Sequence, residues 1–137
     1  MRKLGMLGSL LLTLAGCQAA PEKALTPLPD KVTSMPYGRL LERARLQAGQ
    51  AVDAHFIDNW AGLIEVAQGL EQTAQFMAKA EDVPVKHKDT LATVSSDLGK
   101  LAVSLKVAAE AKDVKKTNTI MTSIQAKVRE MRLGDGM

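Results

Sequence analysis

From residue 36 onward, apolar residues recur at the spacing of an α-helix. In four separate stretches they repeat every three or four positions, which places them on one face of a helix in each stretch. The four stripes are Leu41, Ala44, Ala48 and Ala51; Trp60, Leu63 or Ile64, Ala67, Leu70, Ala74 and Met77; Leu91, Val94, Leu98, Leu101, Leu105 and Ala108; and Met121, Ile124, Val128 and Met131. No run alternates apolar and polar residues with a period of two, so strands are not expected. The pattern predicts an all-α fold with four helices.

Polar residues, proline and glycine between the stripes predict where the helices begin and end. Pro36 suits the first turn of the first helix, and Asp82 with Pro84 marks the break before the third. The candidate caps and stop residues are Ser34, Asp58, Asn59, Asp113, Gly134 and Gly136. Short loops make neighbouring helices antiparallel. We therefore expect an up-down-up-down four-helix bundle over residues 36–133, followed by a flexible C-terminal tail over residues 134–137.

The N-terminus has the layout of an export signal. Arg2 and Lys3 precede an apolar run over residues 4–14, which is too short to remain as a membrane-spanning helix. Small residues follow, in the sequence Leu14-Ala15-Gly16-Cys17. This layout predicts that residues 1–16 are a cleaved signal peptide and that the protein is exported.

The sequence Leu-Ala-Gly-Cys ending at Cys17 resembles the lipobox of bacterial lipoproteins, in which the chain is cut before the cysteine and the cysteine is acylated. The resemblance implies that acyl chains on Cys17 anchor the protein in the cell envelope, facing the periplasm. Gln18 favours the outer over the inner membrane, because an Asp at this position often signals inner-membrane retention. Cys17 is the only cysteine, so an acylated chain has no thiol for a disulfide, a metal site or catalysis.

A proline-rich stretch connects Cys17 to the first predicted helix. Residues 17–35 include Pro21, Pro27 and Pro29 and show no hydrophobic periodicity. Proline favours extended polyproline II conformations, so this stretch is predicted to be a semi-rigid tether. The alternative, a proline-rich ligand for a partner, lacks a clean motif.

The charge of the chain argues against a nucleic-acid partner. Of the 18 Lys and Arg residues, Arg2 and Lys3 belong to the predicted signal peptide, which leaves 16 basic against 15 acidic residues. A net charge near +1 provides no positive field to steer nucleic acid, and no block of five like charges occurs.

The last two predicted helices resemble those of a known family. Residues 101–132 are similar to the final helix pair of the class II c-type cytochromes, the cytochrome c prime group, with an Ala-rich helix, a short turn containing Asp, and a last helix. The run Asp58-Asn59-Trp60 at the head of the second helix also resembles that family. The likeness covers roughly residues 39–132 and implies a four-helix bundle and an export route.

The haem motif of that family is missing from this chain. Family members carry C-x-x-C-H followed by Arg in the last helix. Aligning Arg132 with that Arg places Ile124 and Lys127 at the two cysteine positions and Val128 at the axial histidine. The thioether bonds and the proximal ligand of c-type haem therefore have no residues to form them.

A noncovalent haem or metal site would have few ligands to draw on. The supply of His and Met in the predicted helical region is His55, His87, Met77, Met121 and Met131. His55 and His87 are predicted at opposite ends of the bundle and cannot share an ion. His55 with Met121 is the candidate pair, but His55 is better interpreted as capping carbonyls at its helix end. His87 is predicted to be a solvated surface residue.

The sequence offers no catalytic constellation. No serine lies in a G-x-S-x-G context, and no P-loop or dinucleotide glycine pattern occurs. The preferred hypothesis is a lipid-anchored envelope protein that presents a haem-less, cytochrome c prime-like bundle as a non-enzymatic binding or structural module. The alternative is a bundle that holds a b-type haem or a metal for electron transfer or sensing. Beyond the membrane, the expected partner is an envelope protein, and the chain is expected to be a monomer or homodimer.

Overall fold

The computed structural model of the protein describes residues 27–28 and 34–132 and is all-α in that part of the chain. The helices are α1 (Tyr37–Phe56), α2 (Trp60–Met77), α3 (Val85–Lys88), α4 (Leu91–Glu110) and α5 (Val114–Arg132). The predicted signal peptide, Cys17, and the glycines at 134 and 136 lie outside the described residues. The all-α prediction is confirmed, and the four predicted stripes coincide with the four long helices.

The additional helix, α3, is a single turn of four residues that was not predicted from the sequence. It lies in the connection between α2 and α4, which spans residues 78–90 and is longer than the short loop that was expected. Pro84 precedes the turn with an extended backbone, and the His87 N–H donates to the Pro84 carbonyl oxygen at 2.9 Å. In the same connection Val83 is buried, so this segment contributes to the core.

The predicted stripes form the hydrophobic core. Nearly all of their members are buried, while Trp60, Ile64 and Leu101 are half-buried and pack against the others. The largest fully buried apolar side chains come from all four long helices and are Leu40, Leu63, Leu70, Met77, Leu98, Leu105 and Ile124. Burial of this shared face is the main contribution to the stability of the fold.

Two of the predicted N-terminal caps are confirmed. Asn59 Oδ1 accepts the Gly62 N–H at 2.9 Å at the start of α2, and Asp113 Oδ1 accepts the Lys116 N–H at 3.0 Å at the start of α5. Asp58 does not cap α2; it adopts the left-handed conformation, with φ of 56°, in the turn after α1. Each cap pairs a backbone N–H that the helix itself leaves without a partner.

The start of α1 differs from the prediction. Pro36 lies just before the helix instead of inside its first turn, and no side chain of an adjacent residue caps it, so Ser34 does not have the predicted role. Instead, Asp82 from the α2–α3 connection accepts the Tyr37 N–H at 2.8 Å through its Oδ1. The first turn of α1 is therefore held by a residue that lies far away in sequence.

The four long helices contact one another in a ring, in which α2 touches α1 and α4, and α5 touches α4 and α1. A buried hydrogen bond joins α1 to α2, from Thr73 Oγ1 to Gln47 Oε1 at 2.8 Å. Gly69 makes room for it, since a Cβ at Gly69 would stand 2.8 Å from Gln47 Nε2. An ion pair between Asp97 and Lys127, at 3.3 Å, joins α4 to α5.

Leu28, inside the range predicted to be a tether, lies against the helices. Its N–H donates to Gln72 Oε1 at 2.9 Å, and its carbonyl oxygen accepts from Gln72 Nε2 at 3.1 Å. Leu28 and Met35 also pack against the hydrophobic core. A single amide side chain can satisfy both backbone groups of one residue because it carries a donor and an acceptor. Part of residues 17–35 is therefore held on α2.

Candidate functional site

The candidate site is an open groove of about 630 Å³ between α2 and α4. Its walls are mainly small side chains, contributed by Ala74 of α2, by Ala78 directly after that helix, and by Ala92, Ser96, Gly99 and Val103 of α4. A Cβ at Gly99 would stand 3.7 Å from the Ala74 Cβ, so the two helices run close together along the groove floor. The groove is shallow, apolar and accessible along its length.

The groove exists because α4 carries a second stripe on its solvent side. Ala92, Ser96, Gly99, Val103 and Val107 recur at steps of three and four residues, and all are exposed or half-buried. Val103 is 44% exposed and Val107 is 57% exposed, although both are aliphatic. The core stripe of this helix was predicted from the sequence. The second stripe was not, because it has the same periodicity but consists mainly of small residues.

Two charged side chains of opposite sign line the groove. Glu71 belongs to α2 and Lys100 to α4, so the charges lie on its two opposite walls. Among the ion pairs of the described residues, neither side chain has a partner. The groove therefore combines an apolar floor with one negative and one positive group that are available to a bound partner.

A second groove, of about 510 Å³, lies between α4 and α5. Leu101 and Ile120 form its apolar part, while Lys115 and Lys116 lie at the first turn of α5. Asp113 also lines it and is already engaged as the cap of that helix. This surface is more polar in its residue types than the α2/α4 groove.

His55 was predicted to cap carbonyls or, with Met121, to bind a cofactor. Its half-buried ring packs edge-to-face against Trp60 with centroids 5.3 Å apart, and Nδ1 is buried with no hydrogen-bond partner among the described residues. His55 Nδ1 therefore does not cap a carbonyl at the end of α1, contrary to the prediction. Met121 is buried in the core on α5.

His87 is not the solvated residue that the sequence predicted. It is half-buried, and its ring stacks on Tyr37 with centroids 6.0 Å apart. The cavity beside the two rings has a volume of about 20 Å³, which is room for about one water molecule. His87 contacts Tyr37 at the start of α1, and His55 lies 18 residues further along that helix, which is a rise of about 27 Å. The two histidines therefore lie at opposite ends of α1, as predicted.

The positions aligned with the haem motif have structural roles. Ile124 and Val128 are buried in the core stripe of α5. Lys127 is at the surface with Asp97 at 3.3 Å and Glu130 at 3.6 Å, and the hydrogen bond to Asp97 raises the pKa of Lys127 above its ordinary value. These residues do not fit a covalently bound haem. In residues 27–28 and 34–132, no three His, Asp or Glu side chains are grouped so that they could hold a metal ion.

Comparisons with models of protein families, with curated proteins and with solved structures found no match to this chain. None of the helices in the described part of the chain combines the length and the apolar character needed to cross a membrane.

Proposed function

We propose that the protein is a lipid-anchored component of the bacterial cell envelope whose four-helix bundle, of up-down-up-down topology and cytochrome c prime-like, binds a protein partner. In this proposal it is not an enzyme and carries no haem. Cys17 holds it to the membrane, preferably the outer one, with the bundle facing the periplasm. The observation that carries the binding role is the apolar groove between α2 and α4.

The pairing of residues across helices supports the proposed topology. The rings of His55 and Trp60 meet where α1 turns into α2, while Tyr37 at the other end of α1 binds Asp82 beyond the end of α2. Asp97 near the start of α4 pairs with Lys127 near the end of α5. These contacts are the ones expected if α1 runs antiparallel to α2, and α4 antiparallel to α5. The short turns after α1 and α4 favour the same arrangement.

The shape and chemistry of the α2/α4 groove support a role in protein binding. Aliphatic residues that are exposed to solvent lose contact with water when a partner covers them, which favours association. A groove between two parallel rows of small side chains suits the apolar face of a helix, because small residues let helix backbones approach closely. Val103 is the largest aliphatic side chain that lines this surface, and Glu71 and Lys100 fix the position of a partner's charges.

The lipid anchor can be tested by replacing Cys17 with Ser. In a host that processes lipoproteins, we expect the unmodified protein to incorporate labelled palmitate and to appear as a shortened, membrane-bound form. Cys17→Ser should incorporate no label and accumulate as the uncut precursor, because the acylated thiol is the substrate for processing. Labelling of the variant, or normal cleavage of it, would contradict the anchor at this residue.

The binding role of the groove can be tested with two matched valines. A photo-crosslinking residue at position 103, where Val is 44% exposed in the groove, is expected to give a discrete protein adduct in living cells. The same residue at position 52, where Val is 37% exposed on α1, is the control and should give none. Val103→Glu in a protein with the crosslinker at position 96 should remove the adduct, whereas Val52→Glu should leave it. Equal adducts at 103 and 52, or none at either, would refute a binding role for the groove.

A further inference from the structure

The α2/α4 groove has the charge pattern of a surface that matches itself. Its negative group, Glu71, and its positive group, Lys100, lie on opposite walls. They are at a similar height, because Ala74, one turn from Glu71, lies beside Gly99, the neighbour of Lys100. In a symmetric dimer, a patch must be complementary to its own copy, so that residue i contacts residue j and residue j contacts residue i.

A two-fold axis running parallel to the helices would satisfy this condition. It would place α2 of one copy against α4 of the other at the same height, so Glu71 of each copy would face Lys100 of its neighbour. The exposed stripe of α4, including Gly99 and Val103, would pack against the small residues of α2. Small side chains on both faces permit the close approach that helix pairs need. Two ion pairs and two apolar strips would form together.

We infer that the occupant of the α2/α4 groove is a second copy of this chain, and that the protein forms a two-fold symmetric homodimer through this face. The inference rests on the proposed function only in taking this groove as the binding surface, and it does not depend on the lipid anchor. The occupant is inferred from charge complementarity. Glu71 of one copy and Lys100 of the other have opposite charges and lie at matching heights.

The test is a charge-reversal experiment on the full chain as the cell processes it, studied by sedimentation equilibrium in density-matched detergent. The unmodified protein is expected to sediment as a dimer at concentrations up to about 100 µM, which covers dissociation constants in the micromolar range. Glu71→Lys places Lys opposite Lys in the dimer, and Lys100→Glu places Glu opposite Glu. Each variant alone should associate at least about tenfold more weakly, because facing like charges disfavour association.

Mixing the two variants distinguishes contact between copies from contact within one chain. In a one-to-one mixture, Glu71→Lys supplies Lys on both walls and Lys100→Glu supplies Glu on both walls, so every facing pair is again opposite in sign. The mixture should form a heterodimer about as readily as the unmodified protein forms its homodimer. Differently tagged copies allow this species to be isolated and counted.

Glu65→Lys is the matched control, since Glu65 is an exposed residue of α2 that does not line the groove. It makes the same change in charge and should leave the dimer intact, and far-ultraviolet circular dichroism should show that all variants remain helical. Single variants that dimerise like the unmodified protein, or a mixture that stays monomeric, would overturn the inference. If the unmodified protein is monomeric while position 103 crosslinks to a different envelope protein, self-association is wrong and the proposed binding role stands. If neither occurs, both are wrong.

Discussion

Replacing Leu98 with Ala is expected to lower the free energy of unfolding by about 2–5 kcal/mol. Leu98 is 0% exposed in the middle of α4, and its side chain fills the core between the long helices. Removing three side-chain carbon atoms there loses hydrophobic stabilisation and leaves a cavity that the neighbouring side chains close only in part. Since small domains are stable by about 5–15 kcal/mol, the loss is a large share of the total.

Urea denaturation followed by circular dichroism measures this change directly. Leu46→Ala is the matched control, because Leu46 is 43% exposed on α1 and loses little burial on truncation. We expect the control to change the stability by less than about 1 kcal/mol. Equal losses in the two variants would contradict the burial of Leu98 and therefore the packing of α4 in the core.

Replacing Thr73 with Val is expected to cost about 1–3 kcal/mol of stability, although Val has nearly the same shape. Thr73 and Gln47 are both buried, and the Thr73 hydroxyl donates to Gln47 Oε1 at 2.8 Å. The variant leaves this amide oxygen buried without a partner, and burying an unpaired polar atom costs more than a net hydrogen bond contributes.

A double-mutant cycle tests this explanation. Adding Gln47→Met to Thr73→Val removes the unpaired oxygen, so the double variant should be more stable than Thr73→Val alone. The same urea titrations provide all four free energies. Additive losses would mean that the two side chains act independently, and the buried pair would then contribute little to joining α1 and α2.

The helices themselves were predictable because the sequence carries their signal locally. A stripe such as Met121, Ile124, Val128 and Met131 follows from helix geometry alone, and all four residues are buried. Caps formed within three residues, as at Asn59, are local in the same sense. Features of this kind need no knowledge of which helix packs against which.

The features that the sequence did not reveal depend on distant partners. Asp82 caps α1 from a position 45 residues away, and Gln47 is buried because Thr73 and Gly69 on another helix accommodate it. A glutamine between core alanines gives no local sign of such a partner. His87 likewise lies in a charged stretch but stacks on Tyr37, which begins a different helix.

The candidate groove was hidden for a different reason. The core stripe of α4 is made of Leu and Val and is easily recognised, whereas the second stripe contains Ala, Ser and Gly, which are common on ordinary exposed faces. Only the position of α2 beside it turns these small residues into one wall of a groove. Val103 was the available signal, since it is an aliphatic residue that lies off the core stripe of α4 and lines the groove.

The paired hydrogen bonds between Leu28 and Gln72 determine which part of the bundle first bears a force applied to the N-terminal segment. Tension applied to the chain ahead of Leu28 would load these two bonds and the flank of α2 first. The contact between Tyr37 and Asp82 would stay unloaded until they rupture. The contact with Gln72 therefore protects the first turn of α1 from unfolding when force is applied to the N-terminal segment.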